Sequence, residues 1–109
     1  MSKPLGRGRG KPTPPPVGAL SVTGSLGPEP FQGMGAETYT IHGSGFAPSV
    51  ALWYNLGDPG CCIGSYVITD AGGAFAFIRA TGTPGTYTFR LFSYTVPLVF
   101  LTGISFVVE

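Results

Sequence analysis

Charge is scarce in this sequence: Lys, Arg, Asp and Glu make up 10% of its 109 residues, against roughly a quarter in an average soluble domain. Histidine is scarcer still. With His42 alone, two imidazoles cannot share a metal within one chain, and a Ser-His-Asp triad would have to use that residue. His42 stands just before a turn and out of phase with Tyr39 and Ile41, which predicts a solvent-facing, structural role. The only cysteines, Cys61 and Cys62, are adjacent; neighbours close only a strained disulfide and cannot staple distant strands. They also lack the Cys-x-x-Cys spacing of zinc and redox sites. No stretch of a dozen residues free of Gly and Pro carries a 3.6-residue apolar period, which excludes long helices. The most apolar stretch, residues 94–108, is shorter than a bilayer span and is interrupted by Pro97 and Gly103, so no transmembrane helix is expected. The basic residues near Met1 are not followed by an apolar segment, so no secretory signal is expected either.

What is abundant is punctuation. Eighteen Gly and 11 Pro separate short runs of aromatic and β-branched residues, the signature of an all-β chain. Alternation predicts about seven strands, at 19–23, 37–42, 50–55, 63–69, 74–80, 86–93 and 104–109. Tyr39 and Ile41 share one face, as do Leu52 and Tyr54, Phe75 and Phe77, and Tyr87, Phe89 and Leu91. Trp53 falls on the face opposite Leu52 and Tyr54. Asp70-Ala71-Gly72-Gly73 is a hairpin turn in which Gly supplies positive φ. Strands at this spacing with turns between them predict a β-sandwich.

Residues 1–16 differ in kind from the rest. Gly alternates with base, and then Pro12, Pro14, Pro15 and Pro16 favour an extended polyproline geometry. Lys3, Arg7, Arg9 and Lys11 put four of the six basic residues in this segment with no acid among them. From Val17 onward, Arg79 and Arg90 face Glu29, Glu37, Asp58, Asp70 and Glu109, a net charge of −3. The expectation is an extended basic arm, residues 1–16, beside a mildly acidic β-sandwich domain, residues 17–109. With so little apolar material, the arm is expected to order only against a partner.

Three segments carry a family resemblance: Ile41-His42-Gly43-Ser44-Gly45-Phe46-Ala47-Pro48, then Thr69-Asp70-Ala71-Gly72-Gly73-Ala74-Phe75, then Pro84-Gly85-Thr86-Tyr87-Thr88-Phe89. Over residues 17–109 the chain resembles the immunoglobulin-like domains of bacterial surface proteins and tailed-bacteriophage virions. The resemblance implies an Ig-like antiparallel β-sandwich of about seven strands, with Tyr87 as a tyrosine corner bonding a backbone group upstream. It also implies a destination. A small Ig-like protein made in the host cytoplasm without an export signal is expected in the virion, as a capsid decoration or minor capsid protein binding the major capsid protein or another virion protein.

The residues expected to bind that partner are Lys3, Arg7, Arg9 and Lys11 of the arm, Phe46, and the apolar segment Val96, Leu98, Val99, Phe100 and Leu101, all converging on one end of the sandwich. An apolar loop of this size marks an interface when it projects. An edge strand beginning at Pro97, with Leu98, Phe100 and Thr102 alternating, explains the same residues. Homo-oligomerisation is compatible with either. An enzyme is not expected: Asp58 and Asp70 sit in turns where Asp serves local hydrogen bonding, and no second acid stands at a general acid-base spacing. No cofactor or metal is expected, and Gly-Arg-Gly-Arg-Gly is not a phosphate loop. The alternative function is a tail or baseplate module, or a carbohydrate-binding adhesion module stacking sugars on Trp53, Tyr54 and Tyr66. Specific nucleic-acid binding is not expected, because the body is acidic and lacks a basic aromatic groove.

Overall fold

A computed structural model describes residues 17–57 and 62–109. The arm residues Lys3, Arg7, Arg9 and Lys11, and with them Asp58 and Cys61, lie outside the described residues.

Seven strands follow one another: β1 (Ala19–Gly24), β2 (Thr38–Ser44), β3 (Ala51–Gly57), β4 (Cys62–Ile68), β5 (Phe75–Ala80), β6 (Gly85–Ser93) and β7 (Val99–Val108). All strand pairings are antiparallel. They build a three-stranded sheet in the order β1-β2-β5 and a four-stranded sheet in the order β4-β3-β6-β7. The alternation that predicts the strands also sets their faces, since successive side chains point to opposite sides. Tyr39 and Ile41 from one sheet meet Leu52, Tyr54, Leu56, Tyr87, Phe89 and Leu91 from the other in a single core. Rings bridge the sheets: Tyr54 lies 4.8 Å from Phe77, and Tyr39 lies 4.8 Å from Phe106.

Six strands begin and end within two residues of the sequence expectation, and β7 does not. It starts at Val99, five residues before the expected start at Ile104. Its alternation is broken. Ile104, Phe106 and Val108 face inward, and continuing that phase would bury Phe100 and expose Leu101. A register shift between Leu91 and Phe92 instead sets Leu91 opposite Thr102 and Phe92 opposite Phe100. The extra residue, Leu101, turns inward at 8% exposure, while Phe100 turns outward at 55%. Re-aiming a side chain is what a β-bulge does.

The segment between β1 and β2, expected to be a plain connection, closes the far end of the molecule. Phe31 is fully buried and bridges β7, its amide donating to Val107 O at 3.0 Å and its carbonyl accepting from Glu109 N at 2.8 Å. Glu37, itself buried, accepts from the amides of Leu26 (3.1 Å) and Gln32 and so holds the segment in place.

The Tyr87 hydroxyl donates to Thr83 O at 2.7 Å, the upstream backbone bond of a tyrosine corner, and its ring stacks on Phe106 at 5.5 Å. Tyr87→Phe keeps the ring and leaves the Thr83 carbonyl without this donor. The expected loss is about 1–3 kcal/mol in urea unfolding, with the m-value unchanged; a loss near zero would mean that the bond contributes nothing.

Candidate docking surface

Antiparallel pairing brings four chain segments to one end of the molecule. Ala19, at the start of β1, pairs with Ser44 at the end of β2. Leu52 near the start of β3 pairs with Ser93 at the end of β6, and Gly43 pairs with Phe75 at the start of β5. The β2–β3 loop, the β4–β5 loop, the β6–β7 loop and the point where the described chain begins are therefore neighbours.

The first two loops are locked together. Asp70 Oδ1 accepts from the amides of Gly72 (2.8 Å) and Ala74 (2.9 Å). These bonds, from Ala74 first and then Gly72, stabilise the carboxylate and hold the Asp70 carboxyl below its ordinary range. Across the loops, Phe46 N donates to Gly73 O at 3.1 Å and Ser49 N to Asp70 O at 3.0 Å. The Thr69 hydroxyl donates to Ala47 O at 2.7 Å and accepts from Val50 N at 3.0 Å. Phe46 is consequently a core residue, not the surface anchor expected from the sequence. It is 4% exposed, packs 5.8 Å from Phe75, and lies so close under Gly18 that any side chain there would strike its ring. A lone Phe in a Gly-rich turn carries no periodicity, so its direction is legible only once Gly18 and Phe75 are placed around it.

The third loop, residues 94–98, is apolar and projects. Three hydroxyl contacts shape it: Ser93 and Thr95 share a hydrogen bond of 2.9 Å, Thr95 donates to Pro97 O at 2.8 Å, and Val99 N donates to Ser93 Oγ at 3.2 Å. With its polar groups satisfied internally, the loop presents its apolar ones. Val96 is fully exposed, and Leu98, Val99 and Phe100 are each about half exposed. Leu101 is the second correction: grouped with these residues by sequence, it is buried by the bulge and forms part of the wall of an open apolar cleft of about 620 Å³ beside Leu52, Val50 and Tyr94.

The outer face of the four-stranded sheet adds a feature that no single segment of sequence discloses. Tyr66 pairs with Trp53, Trp53 with Phe92, and Phe92 with Phe100. The four aromatics form one row across all four strands. Tyr94 caps the row, its ring 5.9 Å from Trp53 and 6.1 Å from Tyr66. Of the three aromatics expected to stack on sugars, Trp53 and Tyr66 lie on this face, whereas Tyr54 is buried in the core. His42 lies on the outer side of the other sheet, hydrogen-bonded through Nε2 to the Thr23 hydroxyl at 2.9 Å.

Among the described residues, no three His, Cys, Asp or Glu side chains gather where they could hold a metal ion. Comparison with protein-family models, curated proteins and solved structures finds no match to this chain.

Proposed function

We propose that this chain is a non-catalytic, Ig-like structural module that docks onto a larger protein assembly through the end carrying residues 94–100, as a capsid decoration protein of the phage type does. One observation carries the reading: Val96, Leu98, Val99 and Phe100 form a contiguous exposed apolar tip on a loop whose own hydroxyls hold it in place. Soluble monomers rarely leave such a patch uncovered.

The tip neighbours the start of β1, so the basic residues Lys3, Arg7, Arg9 and Lys11 precede the chain's entry at that same end. An acidic groove on a shell subunit would complement them, steering encounter and register. The Ig-like reading draws support from the strand order. A β4-β3-β6-β7 sheet facing β1-β2-β5 is the C′-C-F-G sheet opposite A-B-E.

The test has two parts. Particles purified through a density gradient are expected to carry the chain at a stoichiometry near that of the shell subunit; particles free of it overturn the reading. The double variant Leu98→Ser, Phe100→Ser is expected to cost the isolated protein less than about 1 kcal/mol, because side chains already half in water contribute little to folding. Its binding to particles is expected to fall by about 2 kcal/mol or more for each anchor removed. Equal losses in stability and binding would identify the tip as part of the fold and not as an interface.

A further inference from the structure

The outer face of the four-stranded sheet is organised in rows. Next to the aromatic row Tyr66–Trp53–Phe92–Phe100 runs the row Gly64–Asn55–Arg90–Gly103, and beyond it lie Thr88 and Ser105, their hydroxyls 3.1 Å apart. The two glycines shape the middle row. The Trp53 indole lies over Gly64, where an added Cβ would stand 2.7 Å from Cζ2, and the Arg90 stem runs beside Gly103, where Cγ would be 3.7 Å from such a Cβ. Trp53 thus leans toward the β4 edge and Arg90 toward the β7 edge.

Neighbouring rows on one face are separated by about 6.6 Å along the strand and adjacent strands by about 4.8 Å, dimensions comparable to a pyranose ring. A ligand with an apolar face seated on the aromatic row therefore places its rim over Asn55 and Arg90. Arg90 is exposed, and among the described outward-facing residues of this sheet it is the sole charge. No described carboxylate pairs with it. The described acids lie elsewhere: Glu37 and Glu29 accept backbone amides around residues 26–32 and at Val107, and Asp70 closes its own turn.

A flat aromatic platform, a row of neutral hydrogen-bonding groups and one uncompensated cation define the complementary ligand. It has a C–H face for the negative faces of the rings, hydroxyls for Asn55, Thr88 and Ser105, and a carboxylate for Arg90. A sugar acid within a polysaccharide has all three. We propose that this face binds acidic polysaccharide chains, with Trp53, Tyr66 and Tyr94 as the stacking platform and Arg90 as the carboxylate partner. This function goes beyond docking through the 94–100 tip and does not rest on it.

Trp53 is the only tryptophan, so its emission reports on the platform directly. In the full-length chain, hexamers of galacturonate or mannuronate are expected to change Trp53 emission saturably, with a neutral glucose hexamer binding at least about tenfold more weakly. Arg90→Gln is expected to weaken uronate binding by about tenfold or more, converging on the neutral hexamer, with an unchanged urea midpoint because the side chain is exposed. Tyr66→Ala is expected to weaken both classes of hexamer. Leu98→Ser, which leaves all three rows intact, is expected to bind uronate like the parent protein, so loss of particle docking and loss of sugar binding are separable. The proposal is overturned if neither uronate gives a saturable change, or if Arg90→Gln binds them as tightly as the parent. It is equally overturned if Trp53 emission follows protein concentration in step with sedimentation, since a second copy then covers the face.

Discussion

Phe89→Ala is expected to remove about 3–5 kcal/mol of stability, most of the margin of a small domain. Phe89 is 0% exposed and lies where both sheets meet. Its ring stacks on Tyr54 at 5.2 Å from within its own sheet, and it faces Phe77 at 6.0 Å and Phe75 at 6.5 Å from the other. Truncation leaves a cavity walled by three large rings on strands held by their own ladders, so the space cannot close by simple collapse. Urea unfolding followed by far-UV circular dichroism measures the loss. Phe92→Ala, three residues on in the same strand and facing outward, serves as the control, with a cost below about 1.5 kcal/mol from its lost edge contact with Phe100. Equal losses for the two would mean that the inside and outside of β6 are wrongly assigned.

Gly73→Ala is the second large effect, expected at about 3 kcal/mol. Gly73 adopts φ +80°, and an added Cβ would lie 2.1 Å from Phe46 O and 3.0 Å from Phe46 C. Both obstacles are backbone, so no side-chain rotation relieves them. The β2–β3 and β4–β5 loops must separate, which breaks the Phe46 N to Gly73 O bond and disturbs the Asp70 turn. Gly72→Ala next door is the contrast: its nearest neighbour would be Asp70 Oδ1 at 3.4 Å, and the expected cost stays below about 1 kcal/mol. Since these loops and the 94–98 loop share one end, Gly73→Ala is also expected to raise amide exchange across residues 45–50. Unchanged protection there would show that the two loops are not coupled.

Much of this architecture is legible from alternation alone. Tyr39 with Ile41, Leu52 with Tyr54, and Tyr87 with Phe89 and Leu91 repeat with period two, and each set lies inward as its spacing dictates. The Asp70-Ala71-Gly72-Gly73 turn and the Tyr87 hydroxyl bond are equally local: an Asp reaching amides two and four residues on, and a Tyr reaching a carbonyl four residues back. Phe46 and Phe31 mislead because each stands alone in an irregular segment, where no period assigns a side. Their burial depends on partners distant in sequence, Gly18 and Phe75 for one and Val107 and Glu109 for the other.

By itself, the sequence determined the all-β class, most of the strands and their inward faces, because a strand's two faces follow from the geometry of consecutive residues. Only the tertiary structure decided how the strands align with one another, and the candidate surfaces depend on that alignment. One residue of slip between β6 and β7 exposes Phe100 and buries Leu101, so the apolar tip ends where the bulge places it. Tyr66, Trp53, Phe92 and Phe100 become one row, and Asn55 and Arg90 neighbours in the next, only through registers between segments tens of residues apart. Register is set by which cross-strand pairs pack and hydrogen-bond together, an energy shared between strands that the pattern within one strand does not contain.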